Sequence, residues 1–187
     1  MALTHVSKIY AVDDCKIAKL TGDTSGGSAT YASIIDVPGI KTLEISGTVD
    51  TKQLRGDNQL LDQISLLTGV SVAVSHAKIS FDVLAVIAGG TVTDSGSTPN
   101  QKATWDLLGT DRFSYFKIEA RTPVDGADPV GGDLHFVLHK CQITDFPSIG
   151  NAEEDYRIVS FNAAATPLIS TNKWITAVLE ETATAIS

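Results

Sequence analysis

His135, His139 and Cys141 share the parity of an extended segment, so a strand over 134–143 would turn two imidazoles and a thiol to one side, a zinc-type donor set. Residues i and i+4 of a strand lie roughly 13 Å apart, too far to hold one ion unless the strand bends or a second subunit contributes. No metal site is therefore expected. The acids at Asp13–Asp14 and Glu153–Asp155 could in principle do general acid and base work, but neighbours on a strand face opposite ways and short charge runs mark solvated turns. The chain has no Gly-x-Ser-x-Gly elbow, no Gly-x-x-x-x-Gly-Lys phosphate loop and no Gly-x-Gly-x-x-Gly dinucleotide turn. Gly26-Gly27 and Gly131-Gly132 are better explained as turn glycines. No catalytic residue and no cofactor is assigned, and the chain is not expected to be an enzyme. Arg55-Gly56-Asp57 spells an adhesion tripeptide but is read as a hairpin turn, because Gly-Asp-Asn is turn chemistry between two strands. Trp105 and Trp174 are assigned to core or interface packing.

The elements around these residues are mostly strands. Over Ile40–Asp50 the apolar Leu43, Ile45 and Val49 alternate with Thr42, Glu44, Ser46, Thr48 and Asp50, which predicts a strand with one wet face. Val70, Val72 and Val74 alternate with Ser71, Ala73 and Ser75, and Phe116, Ile118 and Ala120 with Lys117, Glu119 and Arg121. Further strands are predicted over 16–20, 31–37, 134–143, 156–163 and 174–179. Asn58–Leu67 fits either a strand or a helical stripe of Leu60, Ile64 and Leu67, and is assigned as strand. One short helix is predicted at about 80–88: Ser80 caps it, Asp82 meets its positive end, Phe81, Leu84, Ala85 and Ala88 share a face, and Gly89-Gly90 end it. The fold class expected is mainly β, a sandwich or barrel with that helix at its flank. Composition places flexible loops near 21–30, 90–101 and 123–133, and residues 1–187 are expected to form a single domain.

A chain of 187 residues with 43% hydrophobic and 19% charged residues is long and apolar enough to bury a core. It has no apolar run that could cross a bilayer. The first ten residues lack an apolar secretion core, so synthesis in the cytoplasm is expected, with Cys15 and Cys141 as free thiols. A net charge of −8 argues against gripping nucleic acid through its phosphates, though not against letting it slide past.

Residues 37–90 carry a resemblance through the order of their pieces: Val-Pro-Gly-Ile at Val37–Ile40, an alternating strand, Leu-Arg-Gly-Asp-Asn-Gln at Leu54–Gln59, Leu-Leu-Thr-Gly-Val at Leu66–Val70, a second alternating strand, His-Ala-Lys-Ile at His76–Ile79, and the short helix closed by Gly89-Gly90. This block, about a third of the chain, resembles the major tail tube proteins of long-tailed bacteriophages. The resemblance implies a β-sandwich or barrel with a flanking helix, six subunits closing into a ring, and rings stacking head to tail into a hollow tube that conducts the genome. It also implies a virion location, partners that are copies of the chain itself and other tail proteins at the tube ends, and DNA that passes without sequence-specific binding. Under that reading Glu44, Ser46, Thr48 and Asp50, with Ser71 and Ser75, are candidates for the channel wall, because an acidic or neutral polar surface repels rather than holds a duplex with one charge per roughly 1.7 Å. The same face would serve equally as ordinary solvated surface. A ligand-binding or adhesion sandwich, the tube of a contractile tail or secretion machine, and a hydrolase with an unfamiliar site are the alternatives.

Overall fold

A computed structural model describes residues 9–123, 132–150, 153, 156 and 158–186. In chain order the elements are β1 (Asp14–Gly22), β2 (Thr30–Tyr31), β3 (Ile35–Asp36), β4 (Ile40–Gly56), β5 (Gln59–His76), α1 (Phe81–Ile87), β6 (Thr91–Ser95), β7 (Lys102–Asp106), β8 (Phe116–Pro123), β9 (Asp133–Ile143), β10 (Val159–Ala165) and β11 (Ile175–Leu179). Among the described residues the chain is mainly β with one short helix, as the sequence predicts. One antiparallel sheet runs β2-β1-β8-β9-β10-β5-β4, with β3 also on β1 and β11 also on β9, and β6 pairs with β7 apart from it.

The sheet curls because β9 turns a corner. Its first half pairs with β8 and β11 and its last three residues pair with β10. Between them the register against β8 jumps from Ile118↔Leu138 to Phe116↔Cys141. A bulge of this kind bends a strand and lets it pass from one layer to the next, which gives the barrel-like closure. Phe116, Ile118, Leu138 and Cys141 are fully buried in the enclosed core, with Val72 and Val74 of β5 and Phe161 of β10. Each large side chain there stabilises the fold by about 1.5–3 kcal/mol.

α1 closes the core, and the reading of it needs one correction. Ser80 caps it, its hydroxyl accepting from the Val83 N–H at 3.4 Å, and Asp82 stands in the first turn. The buried arc is Val83, Leu84, Val86 and Ile87, with Ala88 just beyond, while Phe81 is exposed. The arc is wider and rotated relative to the predicted one because α1 is held between β1 and β3 on one side and the β6–β7 hairpin on the other. That hairpin is a second correction, since 90–101 reads as a loop. Thr91–Ser95 is too short and polar for alternation to reveal it, yet it pairs fully with Lys102–Asp106. Trp105 then donates its indole N–H to the Gly89 carbonyl at 3.0 Å and stacks on Phe146.

Smaller differences follow from pairing partners. The strand predicted over 31–37 is two short pieces, β2 and β3, each pairing with a different part of β1. The strand predicted over 156–163 starts at Val159, where pairing with His76 begins. Within 21–30, Asp23 is fastened by Lys140 Nζ at 2.8 Å and by the N–H groups of Ile169 and Ser170 at 2.9 and 3.0 Å. Burial pushes its carboxyl up, but those hydrogen bonds outweigh burial and hold it well below its ordinary value. Most of the 123–133 stretch, Gly131, and Glu154 and Asp155 lie outside the described residues. Among the described residues no helix is long and apolar enough to cross a membrane.

Candidate functional site

β4 and β5 form one long hairpin. Asp57 and Asn58 make its two-residue turn, with φ of 49° and 61°, between the paired Gly56 and Gln59. Two consecutive positive φ values define the turn whose twist suits a tight hairpin, and Asp and Asn tolerate them better than other side chains. The Arg55-Gly56-Asp57 tripeptide is therefore part of a turn, as its composition predicts. β10 pairs with β5 only along Val70–His76. Beyond that, Gly47–Gly56 and Gln59–Gly69 have only each other and project as a two-stranded arm roughly 30 Å long, at about 3.3 Å per residue.

The two parts of the hairpin present different surfaces. At its root, the even residues of β4 and the odd residues of β5 form one polar face: Thr42 opposite Ser75, Glu44 opposite Ala73, Ser46 opposite Ser71, Thr48 opposite Gly69. Ser46 and Ser71 share a hydrogen bond at 2.8 Å, and Thr42 and Ser75 share another. Asp50 continues the same side of β4, so all six channel-wall candidates, Glu44, Ser46, Thr48, Asp50, Ser71 and Ser75, lie on one face. β10 widens it with Ser160, Asn162 and Ala164, which pair with Ser75, Ala73 and Ser71. A shallow groove of about 290 Å³ runs over it, lined by Glu44, Ser46, Ser71, Thr144 and Asn162. The root carries small polar groups and carboxylates, which would leave a polyanion ungripped.

Farther out, register jumps at Thr68 and Leu61 leave one extra residue each on β5 and reverse which of its residues share a side with β4. One side of the arm then becomes polar, with Thr51 bonded to Ser65 and Gln53 to Gln63. The other brings Ile64 and Leu66 opposite Lys52 and Asp50. Leu54, Leu61, Ile64 and Leu66 are 61%, 63%, 58% and 60% exposed, and Val49, Leu60 and Leu67 are exposed as well. A monomer seldom presents so many large apolar side chains on one projection, and such patches mark interaction sites. β4 also stands at the end of the sheet path, and among the described residues no strand pairs with its outer edge, a template for pairing with another chain. Sequence reasoning missed the arm as a surface, although two long apolar-rich runs meeting at Asp57-Asn58 were its signal.

The histidine–cysteine trio is not brought together. The bulge in β9 reverses side-chain parity between His135 and Cys141. His135 shares the side of Arg121 and lies 3.4 Å from both Glu119 and Asp133. Cys141 points into the core beside Phe116, where burial pushes its thiol far up, and His139 bonds Thr176 at 2.7 Å. Among the described residues no three His, Cys, Asp or Glu side chains are arranged to hold a metal ion. Asp13 makes a bidentate pair with Arg121 at 3.0 and 2.7 Å, and Asp14 turns toward Lys16. Residues 180–186 lie over this charged side: the Thr184 N–H donates to Asp133 and Lys16 donates to the Ile186 carbonyl.

No family model matches the chain, and no curated protein matches it. Among solved structures the chain is similar to one in the cryo-EM structure of the anti-feeding prophage (AFP) baseplate, 6-fold symmetrised, at 10% identity and a TM-score of 0.45, over 95% of this chain and 97% of that chain.

Proposed function

We propose that this protein is a non-enzymatic structural subunit that assembles with copies of itself into six-membered rings stacked as the tube of a phage-type tail. The observation that carries the reading is the β4–β5 arm. An apolar projection and an uncovered strand edge are a liability for a lone protein, and both are explained if they are buried between subunits. The block of residues 37–90 that resembles tail tube proteins contains this arm, its polar root and α1. On this reading the polar side of β4 and β5 carrying Glu44, Ser46, Thr48, Asp50, Ser71 and Ser75 lines the channel from the root onto the base of the arm, the net charge of −8 helps DNA pass, other tail proteins meet the tube ends, and the subunit resides in the virion tail.

Electron microscopy of the purified protein over a concentration series tests the assembly. Hollow tubes of uniform width are expected, and a chain that stays monomeric under every condition and never joins preformed tubes refutes it. Glu44→Lys with Asp50→Lys tests the channel wall. Tubes of this variant should retain DNA in a salt-dependent way that the parent tubes do not. Identical behaviour of the two would place the face outside the channel.

A further inference from the structure

The arm's apolar tip has a counterpart on the same molecule. Where the curled sheet brings β4 past the segment leading into β1, an open cleft of about 520 Å³ remains among the described residues, lined by Val12, Lys41, Leu43, Ile45, Thr122 and Phe136, among others. Its floor is apolar because Leu43 and Ile45 lie on the core-facing side of β4, opposite Val74 and Val72, where the closure is incomplete. Lys41 is the charged residue among those lining it, set at a register jump between Ile40 and Thr42. The tip offers the complement. Leu61 is the unpaired bulge residue, its Cδ1 over Gly56 at 2.8 Å from where a Cβ would stand. Leu54 and Leu60 flank it, Asp57 and Asp62 supply carboxylates, and Arg55 is turned back onto Gln53 at 3.2 Å.

We propose that the tip of the arm, with Leu61 leading, seats in the cleft of a second copy, Lys41 of the receiving copy meeting Asp57 and Asp62 of the donor. This contact rests on the self-assembly reading above. A molecule cannot make this contact with itself, because cleft and tip lie on one ribbon, and Leu43 and Leu54 are roughly 35 Å apart along it at about 3.3 Å per residue. Each copy therefore gives a tip and receives one. Such a contact joins two different patches and runs head to tail, so it propagates from copy to copy and forms a filament wherever the rotation between copies does not close a ring. It also fixes the offset between successive copies at roughly the ribbon's own length.

Lys41→Cys and Leu61→Cys chains, separately purified and then mixed under assembly conditions with a short bis-maleimide, test the contact. Cys15 and Cys141 are buried, so the added thiols are the ones that react. A cross-linked dimer at least ten-fold more abundant in the mixture than in either chain alone is expected. As a second arm, Lys41→Glu should reduce assembly about ten-fold, and Asp57→Lys with Asp62→Lys in the same chain should restore it. Parent protein that forms tubes while the mixture gives no such dimer and the charge swap gives no restoration overturns the tip-to-cleft contact and leaves the self-assembly reading standing. Parent protein that never assembles overturns both.

Discussion

Replacing Ile64 and Leu66 by serine separates an assembly surface from a core. Both side chains stand on the projecting arm, 58% and 60% exposed. Full burial of an Ile or Leu side chain is worth about 1.5–3 kcal/mol, so covering the exposed part of each yields about 1–1.8 kcal/mol and the two together about 2–3.5 kcal/mol per contact. At about 1.4 kcal/mol per factor of ten, the concentration needed for assembly should rise roughly 30- to 300-fold. The folded monomer should hardly notice, because surface substitutions usually stay within about 0.5 kcal/mol. Light scattering against concentration measures the first quantity and urea unfolding of the monomer the second. A variant that assembles at the parent's concentration, or that loses more than about 2 kcal/mol of monomer stability, would show that these residues do not form a free surface awaiting a partner.

Gly90 has φ +86°, and a Cβ there would stand 2.5 Å from the Asp106 carbonyl and 2.8 Å from the Trp105 indole nitrogen; Gly90→Ala should cost about 2–4 kcal/mol in urea unfolding, from left-handed strain plus the clash. Burial, then the nearby charges of Asp14 and Asp36, push the Cys15 thiol up to about 12, and burial pushes Cys141 up as well; neither should react with a thiol reagent at pH 8 until the protein is unfolded, as mass spectrometry of the labelled chain would show. Burial lowers the pKa of His76 against the opposing pull of the Lys78 carbonyl, and burial followed by Lys173 and Lys117 lowers that of His139. The unfolded chain then binds more protons than the native one below about pH 6.5, so the urea midpoint should fall as pH drops through that value, and His76→Gln should flatten part of the decline.

Much of the fold is legible because alternation is a local property. Phe116, Ile118 and Ala120 are buried and Lys117, Glu119 and Arg121 are not, as period 2 requires. The same period places Glu44, Ser46, Thr48 and Asp50 on one side of β4, with Ser71 and Ser75 on the matching side of β5 at the root. What stays hidden is where the period breaks. The bulge in β9 sends His135 and Cys141 to opposite sides although their numbers share parity, and pairing with two different neighbours, not composition, puts it there. Leu60, Ile64 and Leu67 are spaced as on a helix, yet across the bulges at Leu61 and Thr68 the strand sets Leu60 and Leu67 opposite Arg55 and Val49 on one side and Ile64 opposite Lys52 on the other. The cleft floored by Leu43 and Ile45 is illegible for a related reason: it depends on how far the sheet curls before it closes.

The two-residue turn at Asp57-Asn58 also dictates an order of events as the chain folds. Pairing in β4–β5 zips outward from that turn through contacts close in sequence, and hairpins of this kind form in roughly 1–10 μs. The pairing of Cys15 with Ala120 in β1–β8 must instead close a loop of about a hundred residues, a step slowed by its entropy. The arm therefore exists, leucines outward, before the barrel that anchors it is complete. Apolar surface is on display during the interval when the chain is least protected, and a net charge of −8 opposes encounters between copies over that time.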